Sequence, residues 1–237
     1  LKLAAREITL PVLSEQKPGR KYMLKTIIMD FDGLIVDTEV VWYQIYVEWF
    51  RKNKNYEMSV QEFLICVGSE AEELFKSLDS RGIHVDREIF ARDTQQRFIE
   101  ESTKLPAKPG VEDFLRIAKK QGIVIALATS STRKKPETHL NRLNLMKYFD
   151  LLVTAEDVQR IKPAPDLFLK TAEKAGCTVE ECLVIEDSLN GLKAGLNANM
   201  RVLVVPNDVT KYCDFQGEYL MVNSLEDVDV EKLIREF

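Results

Sequence analysis

Apolar residues fall into two rhythms along this chain, and the change comes near residue 104. Thr26-Ile27-Ile28-Met29 is a short apolar run that ends in Asp30 and Asp32, the pattern of a fully buried strand delivering acids at its C-terminal end. From Glu39 to Asn55, Val41, Trp42, Ile45, Tyr46, Trp49 and Phe50 recur at helical spacing. Ser59-x-x-Glu62 and Ser69-x-x-Glu72 have the form of capping boxes and predict two more helix starts. Arg87 to Ser102, with Ile89, Phe90, Phe98 and Ile99, predicts another helix. Nothing between 40 and 103 patterns as a buried strand. An all-helical insertion over 40–103 is therefore expected, closed by the proline-bearing linker Lys104 to Gly110.

Beyond that linker, strand and helix alternate. Val111, Phe114, Leu115 and Ala118 mark a helix face that Gly122 closes. Strands are predicted at Ile123 to Ala128, Leu151 to Thr154, Cys182 to Ile185 and Val202 to Val205, with helices near 136–144, 166–175 and 188–198. With the opening strand these make parallel βαβ units, an α/β doubly wound five-stranded sheet whose ligands sit at the C-terminal ends of the strands. The domain plan that follows is an extension over 1–22, a core made of 23–39 and 104–237, and the helical insertion between.

Composition narrows the function. The 237 residues are 45% hydrophobic and 30% charged, as in a globular protein, and a formal charge of −5 provides no broad positive field for nucleic acid or an anionic membrane. The basic clusters at 51–54 and 133–135 read as solvated faces. Cys66, Cys177, Cys182 and Cys213 form no C-x-x-C pair, which argues against zinc or a disulfide scaffold and fits a reducing, cytoplasmic setting. His84, in a loop, and His139, on a surface helix, are read as non-catalytic. No apolar run reaches the roughly 18–20 residues needed to cross a bilayer. Residues 1–22 lack the apolar core of a signal peptide, and Met23 reads as a start.

Candidate chemistry gathers where strands end. In an extended backbone Asp30 and Asp32 face one side while Phe31 turns to packing, and Gly33 lets the chain bend away. Two neighbouring carboxylates repel, so a divalent cation, a shared proton or a lysine must offset them. Thr129-Ser130-Ser131 offers hydroxyls and N–H groups ahead of a helix, either as a phosphate cradle or as a helix cap. Lys162 is held between Arg160 and two prolines, with Asp166 placed to cap the next helix. Glu186-Asp187-Ser188 again puts acids after a buried run. Carboxylate oxygens suit a hard cation such as Mg2+. Gly191 and Gly195, one turn apart, read as a close helix-packing face.

Asp30-Phe-Asp-Gly-Leu-Ile-Val-Asp-Thr-Glu39 closely resembles the nucleophile motif of the haloacid dehalogenase-like phosphotransferases, in the subgroup containing β-phosphoglucomutase and small-molecule phosphatases. Thr129, Lys162-Pro-x-Pro-Asp166 and Glu186-Asp187 match three further motifs in order. The resemblance covers roughly residues 24–237 and implies strand order 3-2-1-4-5 and a mobile cap over 40–103. It makes Asp30 the nucleophile that becomes an aspartyl-phosphate and Asp32 the general acid and base. Thr129, Ser130 and Lys162 would hold the phosphate. Mg2+ would be bound by Asp30, the Asp32 backbone carbonyl, Asp187 and Glu186, the last directly or through water.

Thr38 takes the place of a substrate-contacting threonine of β-phosphoglucomutases. Trp42 stands where those enzymes have a histidine, and Ala71 where they have an arginine for a second phosphate. No arginine lies between Gly68 and Ser80. Trp42, Tyr43 and Tyr46 could stack on a substrate or form the core of the insertion. The expected function is a Mg2+-dependent phosphatase of a small phosphorylated metabolite such as a sugar phosphate, acting as a monomer or weak dimer. A phosphomutase and a catalytically silent ligand-binding domain are the alternatives.

Overall fold

The computed structural model describes residues 22–237, so the proposed extension lies outside the described residues except for Tyr22. In chain order the elements are β1 (Thr26–Met29), α1 (Thr38–Lys54), α2 (Val60–Phe63), α3 (Glu72–Ser80), α4 (Arg87–Ser102), α5 (Val111–Lys120), β2 (Val124–Ala128), α6 (Lys134–Arg142), β3 (Leu151–Val153), α7 (Asp166–Ala175), β4 (Cys182–Glu186), α8 (Leu189–Asn197), β5 (Arg201–Val204), β6 (Leu220–Met221) and α9 (Val230–Glu236). The sheet is parallel throughout, in the order β3-β2-β1-β4-β5-β6. The predicted order of the first five strands holds. The sheet has six strands rather than five because Leu220 and Met221 pair with Leu203 and Val204, a two-residue edge too short to leave a periodic signal.

Alternation along β1 explains why helices cover both faces. Ile27 and Met29 enter a core shared with Val111, Phe114 and Leu115 of α5 and Leu233 of α9. Ile28 points the other way, into a core shared with Phe168 of α7 and Leu192 of α8. Helices α1 to α3 and Phe90 of α4 build a separate apolar cluster around Tyr46, Trp49, Phe50, Phe63, Leu74 and Leu78. Each such side chain taken fully from water contributes roughly 1.5–3 kcal/mol, so the helical insertion carries a core of its own.

Several local expectations met a different outcome. Ser59 and Glu62 form the capping box their spacing predicts. Ser69 does not, because α3 starts after Ala71 and the Ser69 hydroxyl donates instead to the carbonyl of Lys162, 2.8 Å away. Asp166 lies in the first turn of α7 rather than at its cap, and pairs with Arg160. Helix α6 begins ahead of Pro136, since a proline within the first turn sacrifices no intrahelical bond. Its His139 is buried against the ring of Phe31 rather than lying on a surface. Arg51, Lys52 and Lys54 are exposed and sit in the last turn of α1, where positive charge complements the helix dipole. Among the described residues no helix is long and apolar enough to cross a membrane.

Candidate active site

The segments that follow the C-terminal ends of β1 and β2 meet the helical insertion at a cavity of about 220 Å3. Asp30, Asp32, Glu39, Thr129, Ser130, Ser131 and Lys135 line one side, and Trp42, Tyr46, Phe63, Gly68, Ser69 and Ala71 the other. Asp30 extends the β1 ladder by donating its N–H to the carbonyl of Ile185, 3.0 Å away, which fixes its backbone at the C-terminal end of a central strand.

Lys162 is the hub beneath this cavity. Its ammonium is buried and reaches the carboxylate of Asp30, Glu186 Oε1 at 2.6 Å and the carbonyl of Ala128 at 2.9 Å. Glu186 Oε2 accepts from the N–H and hydroxyl of Ser188 at 3.4 and 3.1 Å. Asp187 accepts from Asn207 Nδ2 at 2.6 Å. Gly33 and Gly191 are needed at close quarters here. A side chain on Gly33, at φ +72°, would strike Asp187 and Asn207, and one on Gly191 would overlap the Glu186 carboxyl. Gly191 and Gly195 thus both let α8 approach the sheet closely, Gly191 against Glu186 and Gly195 against Val202.

Asp30, Glu186 and Asp187 can each bring a carboxylate oxygen within 4.8 Å of the others, all buried. One ammonium cannot balance three carboxylates. Burial pushes the Asp30 carboxyl up to about 7 against the pull of Lys162, helped by Glu186 and Asp32. Burial, then the charges of Glu186, Asp30 and Glu39, hold Asp187 well above the usual carboxylate range, while Asp30 and Glu186 outweigh burial to keep Lys162 charged. Although Glu186 Oε1 lies close to Lys162, it has no aligned hydrogen-bond donor. Excess buried negative charge and an unsatisfied oxygen are what an oxygen-ligated divalent cation would relieve, so the residues fit such an ion.

Asp32 is held differently. Its Oδ1 accepts from Thr38 Oγ1 at 2.5 Å and lies 2.5 Å from Lys135 Nζ, while Oδ2 accepts from Ser131 at 2.7 Å. Burial alone would raise this carboxyl, but Lys135, Thr38 and Ser131 overcome it and keep Asp32 below its ordinary value. Lys135 corrects the reading of 133–135 as solvated. It lines the cavity and lies 4.8 Å over the ring of Phe98, and no motif flagged it because its contact depends on where α6 starts. Glu39 was likewise passed over. It is buried at the mouth of α1, and burial followed by repulsion from Asp32 pushes it up to about 8.

Of the remaining predicted groups, Thr129 is buried and accepts from the N–H of Ser131 at 3.0 Å rather than capping α6. The hydroxyl of Ser130 faces the insertion, donating to the carbonyl of Gly68 at 3.1 Å. Asn190 of α8 donates to the carbonyl of Val67 at 2.8 Å, so with Ser130 on Gly68 and Ser69 on Lys162 the segment Val67–Ser69 is tied to three points of the core. Trp42 stacks on Phe98 at 4.0 Å and lines the cavity, and Tyr46 packs into the insertion's core while also reaching the cavity wall.

The family model for haloacid dehalogenase-like hydrolases matches residues 27–205. Protein YhcW of Bacillus subtilis strain 168 is 34% identical over 214 residues, covering 90% of this chain and 97% of that one. A phosphorylated carbohydrates phosphatase of Thermotoga maritima is 30% identical over 75% of this chain and 82% of its own. Among solved structures, β-phosphoglucomutase from Clostridium difficile superposes with a TM-score of 0.75 at 24% identity, over 90% of this chain and 97% of that one, a likeness of fold. With that match spanning the opening strand, the buried acids and the lysine between them, the chain belongs to the haloacid dehalogenase-like hydrolases.

Proposed function

We propose that this chain is a Mg2+-dependent phosphatase that hydrolyses a small phosphate monoester, such as a sugar phosphate, through an aspartyl-phosphate on Asp30. The observation that carries the reading is the buried Asp30 carboxylate beside Lys162 and the Glu186–Asp187 pair, opening onto a cavity that Asp32 also faces. A phosphatase of hexitols from Escherichia coli, 28% identical over 76% of this chain, supports the substrate class.

In this reading residues 40–103 act as a cap over the core formed by 23–39 and 104–237. A phosphoryl group entering the cavity meets Asp30, whose attack is opposed by like charge. Lys162 and the Thr129–Ser130 segment supply positive charge and donors around it. Asp30, the backbone carbonyl of Asp32, Asp187 and Glu186 would hold Mg2+, which when bound screens the reacting anions. Asp32 delivers a proton to the leaving oxygen and then takes one from the water that attacks the phosphoaspartate. Its contacts with Lys135, Thr38 and Ser131 hold it as an anion, so substrate entry must break them before it can act as an acid. Thr38 thereby couples the start of the cap to the acid.

A mutase must retain a bisphosphate intermediate, and among the described residues no arginine lines this cavity to grip a second phosphate. Ala71 and Trp42 stand there instead. The test is phosphate release from a panel of sugar and polyol phosphates with Mg2+, comparing wild type with Asp30→Asn. Release that requires both supports the reading. Isomerisation of β-glucose 1-phosphate faster than release, or release that persists in Asp30→Asn, overturns it.

A further inference from the structure

At the opposite end of the sheet from Asp30, two thiols meet. Cys182 opens β4 and pairs in register with Thr26, the first residue of β1. Cys177 follows Gly176, whose left-handed φ of +67° turns the chain out of α7 and back over the strand. The two sulfurs lie 3.2 Å apart, and Cys177 Sγ is also 3.3 Å from Thr26 Oγ1. Cys182 is fully buried and donates to the carbonyl of Thr178 at 3.3 Å, while Cys177 is half-buried and is the more exposed of the two. Cys66 lies in the core of the insertion and Cys213 beyond β5, and among the described residues neither pairs with another cysteine. The sequence spacing, C-x4-C, gave no warning of this pair because it matches no metal or redox signature.

We propose that Cys177 and Cys182 form a reversible intramolecular disulfide, with Cys177 the thiol that meets the oxidant and Cys182 the thiol that resolves it. A disulfide needs the sulfurs at about 2.05 Å, an approach of roughly 1.2 Å that side-chain rotation at the turn can supply. With hydrogen peroxide as the oxidant, the Cys177 sulfur attacks one peroxide oxygen, the O–O bond breaks, and the displaced oxygen leaves as water carrying the thiol proton. The Cys182 sulfur then attacks the sulfenic sulfur, the S–O bond breaks, and a second water leaves with the Cys182 proton. Two thiols and one peroxide thus give one disulfide and two waters. The bridge would enclose only the four residues 178–181, so little unfolded-chain entropy is removed. The pair therefore serves to return an oxidised Cys177 to a reducible state before it reaches sulfinic acid, rather than to staple the fold.

The experiment exposes the folded wild-type chain to hydrogen peroxide, removes the oxidant, blocks remaining thiols with iodoacetamide in guanidinium, and maps peptides by mass spectrometry without reductant. Cys177 and Cys182 are expected in one linked species lacking two hydrogens, reversed by dithiothreitol, while Cys66 and Cys213 carry the alkyl group. In Cys182→Ser, Cys177 is expected as a dimedone-trapped sulfenic acid or as sulfinic acid, at least tenfold more abundant than in wild type. Recovery of both wild-type cysteines as alkylated thiols, or overoxidation of Cys177 at equal rates with and without Cys182, would overturn the proposal. The wild-type arm decides it even if the variant fails to fold.

Discussion

Lys135 Nζ lies 2.5 Å from Asp32 Oδ1, so the proposed general acid is paired to a lysine from another element before any substrate arrives. Removing that charge in Lys135→Met should raise the Asp32 carboxyl, because Lys135 is the strongest of the groups holding it down. An acid of higher pKa stays protonated to higher pH. The alkaline limb of kcat/KM should therefore move upward, with a change of about tenfold or less at neutral pH, since the proton donor itself remains. A pH–rate profile checks this, and an unmoved alkaline limb would separate Lys135 from the acid's behaviour.

Among the described residues, Lys162 is the one cation paired with the buried carboxylates of Asp30 and Glu186, beside Asp187. Lys162→Met leaves them unbalanced. Breaking a buried ion pair from one side typically costs about 3–5 kcal/mol, and loss of a charge aimed at a reacting oxyanion costs about 10^2–10^3 in rate. Urea unfolding and phosphate release should both show the loss, and stability should recover in part when Mg2+ is added.

Gly191 sets the position of Glu186. In Gly191→Ala the new Cβ would overlap the Glu186 carboxyl and displace one arm of the acidic cluster, at a cost of about 1–3 kcal/mol. The wild-type melting temperature should rise with Mg2+ as mass action requires. In Gly191→Ala the Mg2+ concentration needed for that rise, and for half-maximal activity, should increase at least tenfold. Melting curves across a Mg2+ series measure the first directly.

His139 is buried on the inner face of α6, against Phe31, with Arg142 and Lys135 as positive neighbours and Asp32 as the opposing negative one. Burial first, and then those cations, lower its pKa from 6.5. A lowered pKa means the unfolded chain binds the proton first. Stability from the neutral ring is complete above about 6.5, declines as pH falls below it, and levels off beneath the folded value. His139→Gln should flatten that acid-side decline, as seen by urea midpoints from pH 8 to 5.

How far the sequence could be read depended on how local each signal was. Asp30, Asp32, Lys162, Glu186 and Asp187 all sit within a few residues of a buried strand or a proline-fixed turn, so their convergence followed from the parallel sheet. Lys135 and His139 could not be placed that way, because a shift of two residues in the start of α6 decides which side chains face inward. The Ser69 hydroxyl looked like a cap and instead reaches 93 residues along the chain to Lys162, a tertiary contact that overrides a local pattern. Leu220 and Met221 join the sheet through register with β5 alone.

Acid quench during turnover tests the covalent step on Asp30 most directly. With Mg2+ and a hydrolysed monoester, mass spectrometry of the quenched wild-type chain should find a phosphoryl group on the peptide containing Asp30, lost on hydroxylamine treatment and absent from Asp30→Asn. Steady turnover with no phosphorylated Asp30 peptide at any quench time, or with the label on another residue, would contradict the account.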